Sequence, residues 1–170
     1  MTTATPYRVT FVCSGNICRS PMGEVILRDL LAEAGLGGTV EVDSAGTTSY
    51  EVGRPADPRT VTELRQHGFD GTGHVARQFR PDWFARTDLV LAADEGHAAA
   101  LRRWATTPED TAKVRLMRAF DPAAVAADTL EVDDPWYGDT EDFVRCFDEV
   151  EASCRGVLAH LREQLAASRR

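Results

Sequence analysis

The chain has 170 residues, 43% of them hydrophobic and 27% charged, a balance that suits a single packed domain over 1–170 and excludes a low-complexity or disordered polymer. Its net charge of −8 excludes nucleic acid and anionic membrane as general partners, so a phosphorylated ligand would have to be held by a local cationic site. The opening Met-Thr-Thr-Ala-Thr-Pro has no apolar signal core, no run approaches membrane-spanning length, and the four cysteines read as reduced cytoplasmic thiols.

Residues 7–12, with the apolar run Val9-Thr-Phe-Val12, predict a first strand. It runs directly into Cys13-Ser-Gly-Asn-Ile-Cys-Arg-Ser20, and Ser20-Pro21 then reads as the N-cap and first turn of a helix over 20–34 that ends before Gly35. A strand that stops at a cysteine, turns through a glycine-containing loop and enters a helix builds a nest of backbone N–H groups suited to a tetrahedral anion. Ser14, Gly15, Asn16, Ile17 and Cys18 supply that nest, and Arg19 adds a planar fork of donors able to hold two phosphate oxygens. Cys13 would lie at the bottom of an electropositive bowl, the setting of a thiolate nucleophile, which points to phosphoryl transfer through a phosphocysteine. Beyond capping, the Ser20 hydroxyl is placed to donate to the Cys13 sulfur. A nucleotide-binding loop of the Walker type is a poor fit, because its Gly-Lys-Ser/Thr ending is absent.

Further along, Thr39–Ser44 alternates as a second strand, and a short helix begins at Asp57 or Thr60 and runs to Gln66. Leu89–Ala93 is a buried third strand, followed by a helix from about Gly96 to Trp104, and Val114–Met117 is a short fourth strand. Thr140 to about Ala167 is a long final helix whose stripe is Phe143, Phe147, Val150, Cys154, Val157, Leu158, Leu161 and Leu165. Strands alternating with helices predict a three-layer α/β/α fold with a four-stranded parallel sheet covered on both faces. Ligands of such sheets bind outside the carboxyl ends of the strands, where Cys13, Asp43-Ser44-Ala-Gly46 and Ala93-Asp94-Glu95 would meet.

Ester hydrolysis also needs an acid for the leaving oxygen. Asp134, in Asp133-Asp-Pro-Trp-Tyr137, is the candidate; the segment on its own reads more readily as an acidic surface turn, and it is the Cys13 loop that reverses the balance. Trp136 and Tyr137 beside it, with Tyr50 from the Gly46–Pro58 loop facing them, would wall an aromatic leaving group; singly, each is also ordinary packing. The Cys13-x4-Cys18 pair invites a zinc reading, but the other two cysteines, Cys146 and Cys154, fall on the final helix and read as core thiols, so no metal site is assigned. His67, His74, His97 and His160 form no ligand-spaced cluster and read as surface or capping residues, with His74 the one candidate for a functional part.

Taken together, Val12-Cys-Ser-Gly-Asn-Ile-Cys-Arg-Ser-Pro21, Asp43-Ser-Ala-Gly46, Gly53-Arg-Pro-Ala-Asp-Pro-Arg59, His74-Val-Ala-Arg-Gln78, Ala93-Asp-Glu95 and Asp134-Pro-Trp-Tyr137 resemble the low-molecular-weight protein tyrosine phosphatase family, in order and over nearly the whole chain. The resemblance implies cofactor-free, metal-independent, two-step hydrolysis, with Cys13 as nucleophile, Arg19 as phosphate clamp and Asp134 as acid and then base. It implies that Asn16, Ser20, Ser44 and His74 form a network holding the loop open, and that Asp94 is an acidic position near the loop arginine. It also implies that Cys18 can close a reversible disulfide with Cys13, shielding it from over-oxidation. Tyrosine-phosphorylated proteins or peptides would be the partners and inorganic phosphate a product and inhibitor, with the chain a monomer or weak dimer. Arsenate reductases of this kind need two more redox cysteines, and residues 70–110 contain none. Arginine phosphatases carry threonine at the position of Ile17 and lack the second aromatic at Tyr137, so Ile17 and Trp136-Tyr137 favour phosphotyrosine. Tyr50 stands where many members have tryptophan, which leaves peptide preference open. A non-enzymatic phospho-ligand module would need a dead nucleophile or a missing acid, and neither is missing.

Overall fold

In β1, Tyr7–Cys13, successive side chains alternate between the two faces of a sheet. Val9, Phe11 and Cys13 join one buried cluster and Val12 joins another, so this strand is covered on both sides. The computed structural model describes residues 5–170. Their chain order is β1, α1 (Arg19–Glu33), β2 (Val40–Gly46), α2 (Pro58–Gln66), β3 (Leu89–Ala92), α3 (Glu95–Trp104), α4 (Pro108–Lys113), β4 (Val114–Leu116), α5 (Pro122–Ala127) and α6 (Thr140–Ala167). Single 3₁₀ segments occupy Pro81–Arg86, Met117–Phe120 and Pro135–Tyr137. Among the described residues, no helix is long and apolar enough to cross a membrane.

The four strands form one sheet in the order β2-β1-β3-β4, every pairing parallel, with Cys13 opposite Gly46 and Val12 opposite Ala92. Helices α1 and α6 pack against each other on one face, where Phe11, Met22, Ile26, Leu27, Phe147, Val150 and Val157 form the larger cluster. The opposite face is filled by Phe79, Phe84, Val90, Ala98 and Leu101, the last two from α3. Each such fully buried large side chain contributes about 1.5–3 kcal/mol relative to exposure. The three-layer arrangement predicted from the alternation of elements is therefore the one observed.

From β1 the chain lays β2 on one side and β3 on the other, so the strand order reverses between β1 and β3. At such a switch point the loops leaving the two carboxyl ends part and open a crevice. Cys13 ends β1, and Asp94, separated from β3 by Ala93 alone, is the N-cap of α3, its carboxylate accepting from the His97 N–H.

Several boundaries differ from expectation for local reasons. Helix α2 starts at the earlier of its two candidates, capped by Asp57 with Pro58 in its first turn. Helix α1 begins at Arg19, so the N-cap position belongs to Cys18 and no side chain caps it. The N-cap reading of Ser20 is thereby corrected: Ser20 lies inside the first turn, fully buried.

Candidate active site

The loop Cys13–Arg19 is shaped from behind. Asn16 has φ of 60°, a left-handed conformation that asparagine tolerates better than most residues, and it is fully buried. Every polar group of its side chain is used. Oδ1 accepts from the Arg77 N–H at 3.0 Å, and Nδ2 donates to Ser20 Oγ at 2.8 Å and Ser44 Oγ at 2.9 Å. The Asn16 carbonyl accepts from His74 Nε2 at 2.7 Å. Beneath the loop, Gly46 leaves the needed space: a Cβ there would stand 2.5 Å from the Ser14 carbonyl oxygen. That carbonyl accepts from the Thr48 N–H at 3.1 Å and the Thr48 hydroxyl at 3.0 Å.

The direction of one bond follows from the others. Because the Arg77 N–H fixes Asn16 Oδ1 as acceptor, Nδ2 must donate to Ser20, and the Ser20 hydroxyl proton is free for the Cys13 sulfur 2.9 Å away. This is the donor contact expected from the sequence. Arg19 is 3% exposed, with Nη1 donating to Asp94 Oδ2 at 3.0 Å and to the Val132 carbonyl at 2.9 Å. Its Nη2 lies 3.6 Å from Asp134 Oδ2. Burial opposes the guanidinium charge, but Cys13, Asp134 and Asp94 outweigh burial and raise its pKa above the ordinary arginine value.

Asp134 caps the 3₁₀ segment after it, Oδ1 accepting from the Trp136 N–H at 3.1 Å, which leaves Oδ2 toward Arg19. A cavity of about 250 Å³ opens above the loop. Cys13, Ser14, Gly15, Ile17, Cys18 and Arg19 line its base, and Tyr50, Asp134, Trp136 and Tyr137 its sides, with Thr48 and Glu51 completing it. The uncapped N–H groups at the start of α1 are the donors a helix terminus offers an anion.

All fifteen residues singled out in the sequence thus meet around one crevice. Asn16, Ser20, Ser44, His74 and Asp94 lie outside the cavity lining as supports, and the others line it. Burial, and secondarily Asp57, push Cys18 up to about 12, while Cys146 and Cys154 are raised by burial in the core under α6. His97, read from sequence as a surface or capping histidine, is instead 5% exposed with Nε2 2.8 Å from Ser14 Oγ. Thr48 and Arg77 also hold the loop and were not singled out. The only local signal for His97 was its spacing three residues after Asp94 in the first turn of a helix.

A cysteine under a hydroxyl donor, a buried guanidinium and a nearby carboxylate at the switch point of a parallel sheet define a phosphate-handling site. Residues 8–167 match the family model described as low molecular weight phosphotyrosine protein phosphatase, and the chain belongs to that family. It is 54% identical over 159 residues to the low molecular weight protein-tyrosine-phosphatase of Streptomyces coelicolor, covering 94% of this chain and 96% of that one. Low molecular weight protein-tyrosine phosphatase A of Mycobacterium tuberculosis is 43% identical over 161 residues, covering 95% of each. A crystal structure of the protein tyrosine phosphatase of Entamoeba histolytica with Hepes in its active site superposes with a TM-score of 0.87 at 30% identity, covering 93% of this chain and 98% of that one.

Proposed function

We propose that the chain hydrolyses phosphotyrosine in proteins or peptides, and small aryl phosphates, through a phosphocysteine on Cys13. The observation that carries this reading is the Cys13–Ser20 contact at 2.9 Å, with its donor direction set by Asn16, beside a buried Arg19 paired to Asp94. The Cys13 thiolate attacks phosphorus; the S–P bond forms as the aryl P–O bond breaks, and Asp134 gives its proton to the departing phenolate. Water then attacks phosphorus, passing a proton to Asp134, and the S–P bond breaks to release phosphate and the thiolate. Arg19 and the loop amides stabilise the charge on the equatorial oxygens throughout. The Ser20 hydroxyl stabilises the sulfur as it departs.

The base of the cavity suits the phosphoryl group, and its aromatic sides suit a phenyl ring. Ile17 in the lining and Tyr137 at the mouth support phosphotyrosine over phosphoarginine. In keeping with this reading, residues 1–170 act as one domain, monomeric or weakly dimeric and cytoplasmic, without a cofactor and inhibited by its product phosphate. Aryl phosphate hydrolysis in excess chelator tests it, together with mass analysis of a quenched reaction for a phosphoryl group on Cys13. Cys13→Ser should abolish turnover and still bind inorganic phosphate. Turnover that survives this change, or stops in chelator, refutes the mechanism, and a clear preference for phosphoarginine over phosphotyrosine in matched peptides refutes the substrate assignment.

A further inference from the structure

His97 lies in the first turn of α3, 5% exposed and outside the cavity lining, yet it touches the phosphate-binding loop. Its Nε2 is 2.8 Å from Ser14 Oγ. Its Nδ1 is 3.1 Å from Asp94 Oδ1 but off the line of a directed hydrogen bond, and that oxygen already accepts from the His97 backbone N–H. The other Asp94 oxygen receives Arg19 Nη1 at 3.0 Å. A path of contacts therefore runs Ser14–His97–Asp94–Arg19 outside the loop, joining its second residue to its last. On the opposite side, the Ser14 carbonyl is held by Thr48.

Proton placement gives the path a direction. Burial, then Arg19, lower the His97 pKa to about 4, so the ring is neutral at physiological pH and carries one proton. With a carboxylate facing Nδ1, that proton belongs on Nδ1, and Nε2 accepts from the Ser14 hydroxyl. The hydroxyl hydrogen is thereby committed to His97 rather than to the anion, and the ring adds no positive charge that would compete with Arg19 for Asp94.

We propose that His97 is a positioning residue for the phosphate-binding loop, a strap from α3 that fixes Ser14 at one end while steadying the Asp94–Arg19 pair at the other. The inference rests on the phosphatase reading of the site. Fixing both ends keeps the loop amides and the guanidinium converged on the transferring phosphoryl group, where charge changes most in the transition state.

The test compares His97→Leu with His97→Gln, whose amide reaches the position of Nε2 and can still accept from Ser14. Steady-state kinetics with an aryl phosphate are measured beside the affinity for inorganic phosphate and the melting temperature. His97→Leu should lose about tenfold in kcat/KM and a similar factor in phosphate affinity, the size expected for one directed hydrogen bond, and His97→Gln should recover to within about threefold of wild type. The double variant Ser14→Ala, His97→Leu should be no worse than the poorer single one, because both changes cut the same contact. Equal losses in the leucine and glutamine variants overturn the strap, as do losses that multiply in the double variant. Should His97→Leu not fold, Ser14→Ala alone decides: it should weaken phosphate binding, and wild-type affinity overturns the strap. Phosphate affinity keeps the two readings apart, since a wild-type protein that binds phosphate but does not turn over aryl phosphates refutes the function and leaves the strap measurable.

Discussion

In the floor of the cavity and directly beneath it, Arg19 is 3% exposed and the supporting Asn16 and Ser20 are fully buried, whereas on its rim Tyr50 and Tyr137 stand 87% and 85% exposed. The floor groups spend their hydrogen bonds on one another, through Asn16 to Ser20 and Ser44 and through Arg19 to Asp94 and Val132. Their geometry is set before any ligand arrives, so a tetrahedral anion meets donors that need no reorganisation. The rim aromatics meet mostly solvent and one another, as in the edge contact of Trp136 with Tyr137 at 4.8 Å. They must be ordered when a substrate binds, which costs side-chain entropy and limits what they add to affinity. A rigid floor suits one shared chemical group, and a loose rim suits varied sequences around it.

Asp134 stands between these regions, its side chain 36% exposed but tethered by the Trp136 N–H. Changing it should give the largest effect of any single rim residue. Asp134→Ala should lower kcat by about 10²–10³ for an ester with a poor leaving group such as phenol, and far less for a nitrophenol that leaves unaided. A plot of rate against leaving-group acidity should steepen accordingly. Equal losses for both esters would remove Asp134 from the acid's role and attach it to the passive rim.

Asn16→Ala tests the rigidity of the floor. The change removes two donated and one accepted hydrogen bond and puts alanine at φ of 60°. Burial of the abandoned partners and the strained backbone should together cost about 3 kcal/mol, read from denaturant unfolding. Turnover should fall with stability, because the Ser20 proton is no longer directed at Cys13. A variant as stable and active as wild type would show that the loop keeps its form without this hub.

The floor should also betray itself in the pH dependence of stability. Unfolded, the His97 ring takes up a proton near 6.5; folded, it resists until about 4, surrounded by Arg19, Asp94, Asp134 and Glu131. Between those values the unfolded state binds more protons, so stability falls as pH drops from 6.5 toward 4 and is fully present above 6.5. The difference amounts to at most about 3 kcal/mol. Unfolding free energies of wild type and His97→Gln at pH 7 and pH 4.5 should converge at the lower value, since glutamine does not titrate. Parallel losses in the two proteins would assign the acid sensitivity to other groups.

How these features could be read in advance depends on how local they are. The loop from Cys13 to Arg19 is legible because strand, turn, nucleophile and guanidinium fall within a few residues. The stripe of α6 is legible because burial repeats at helical spacing. Ser20 was misjudged as a cap because the loop before α1 is shaped by the left-handed Asn16, whose side chain is held by Ser44 and Arg77, 28 and 61 residues away. His97 was missed for the same reason: its partner Ser14 lies 83 residues away and becomes a neighbour only once β1 and β3 pair. The short helices α4 and α5 did carry local signals, Thr107-Pro108 and Asp121-Pro122, but each spans only six residues, too few to show a periodic face.

The smallest effect belongs to the rim. Trp136 is 46% exposed, and its backbone carbonyl, rather than its ring, receives Arg59 Nη1 at 3.2 Å. Arg59 is in turn paired with Asp57 at 2.9 Å and rests over the Phe143 ring, so the loop carrying Asp134 is tied to α2 and α6 through main chain. Trp136→Ala should therefore leave Asp134 in place while removing one wall. For a phosphotyrosine peptide, KM should rise about three- to tenfold with kcat within about twofold, the value of one aromatic contact in a half-open site. Inorganic phosphate, too small to reach the ring, should bind the variant and wild type equally well. A parallel loss of phosphate affinity would mean that the ring also shapes the loop beneath it, and that floor and rim form a single unit.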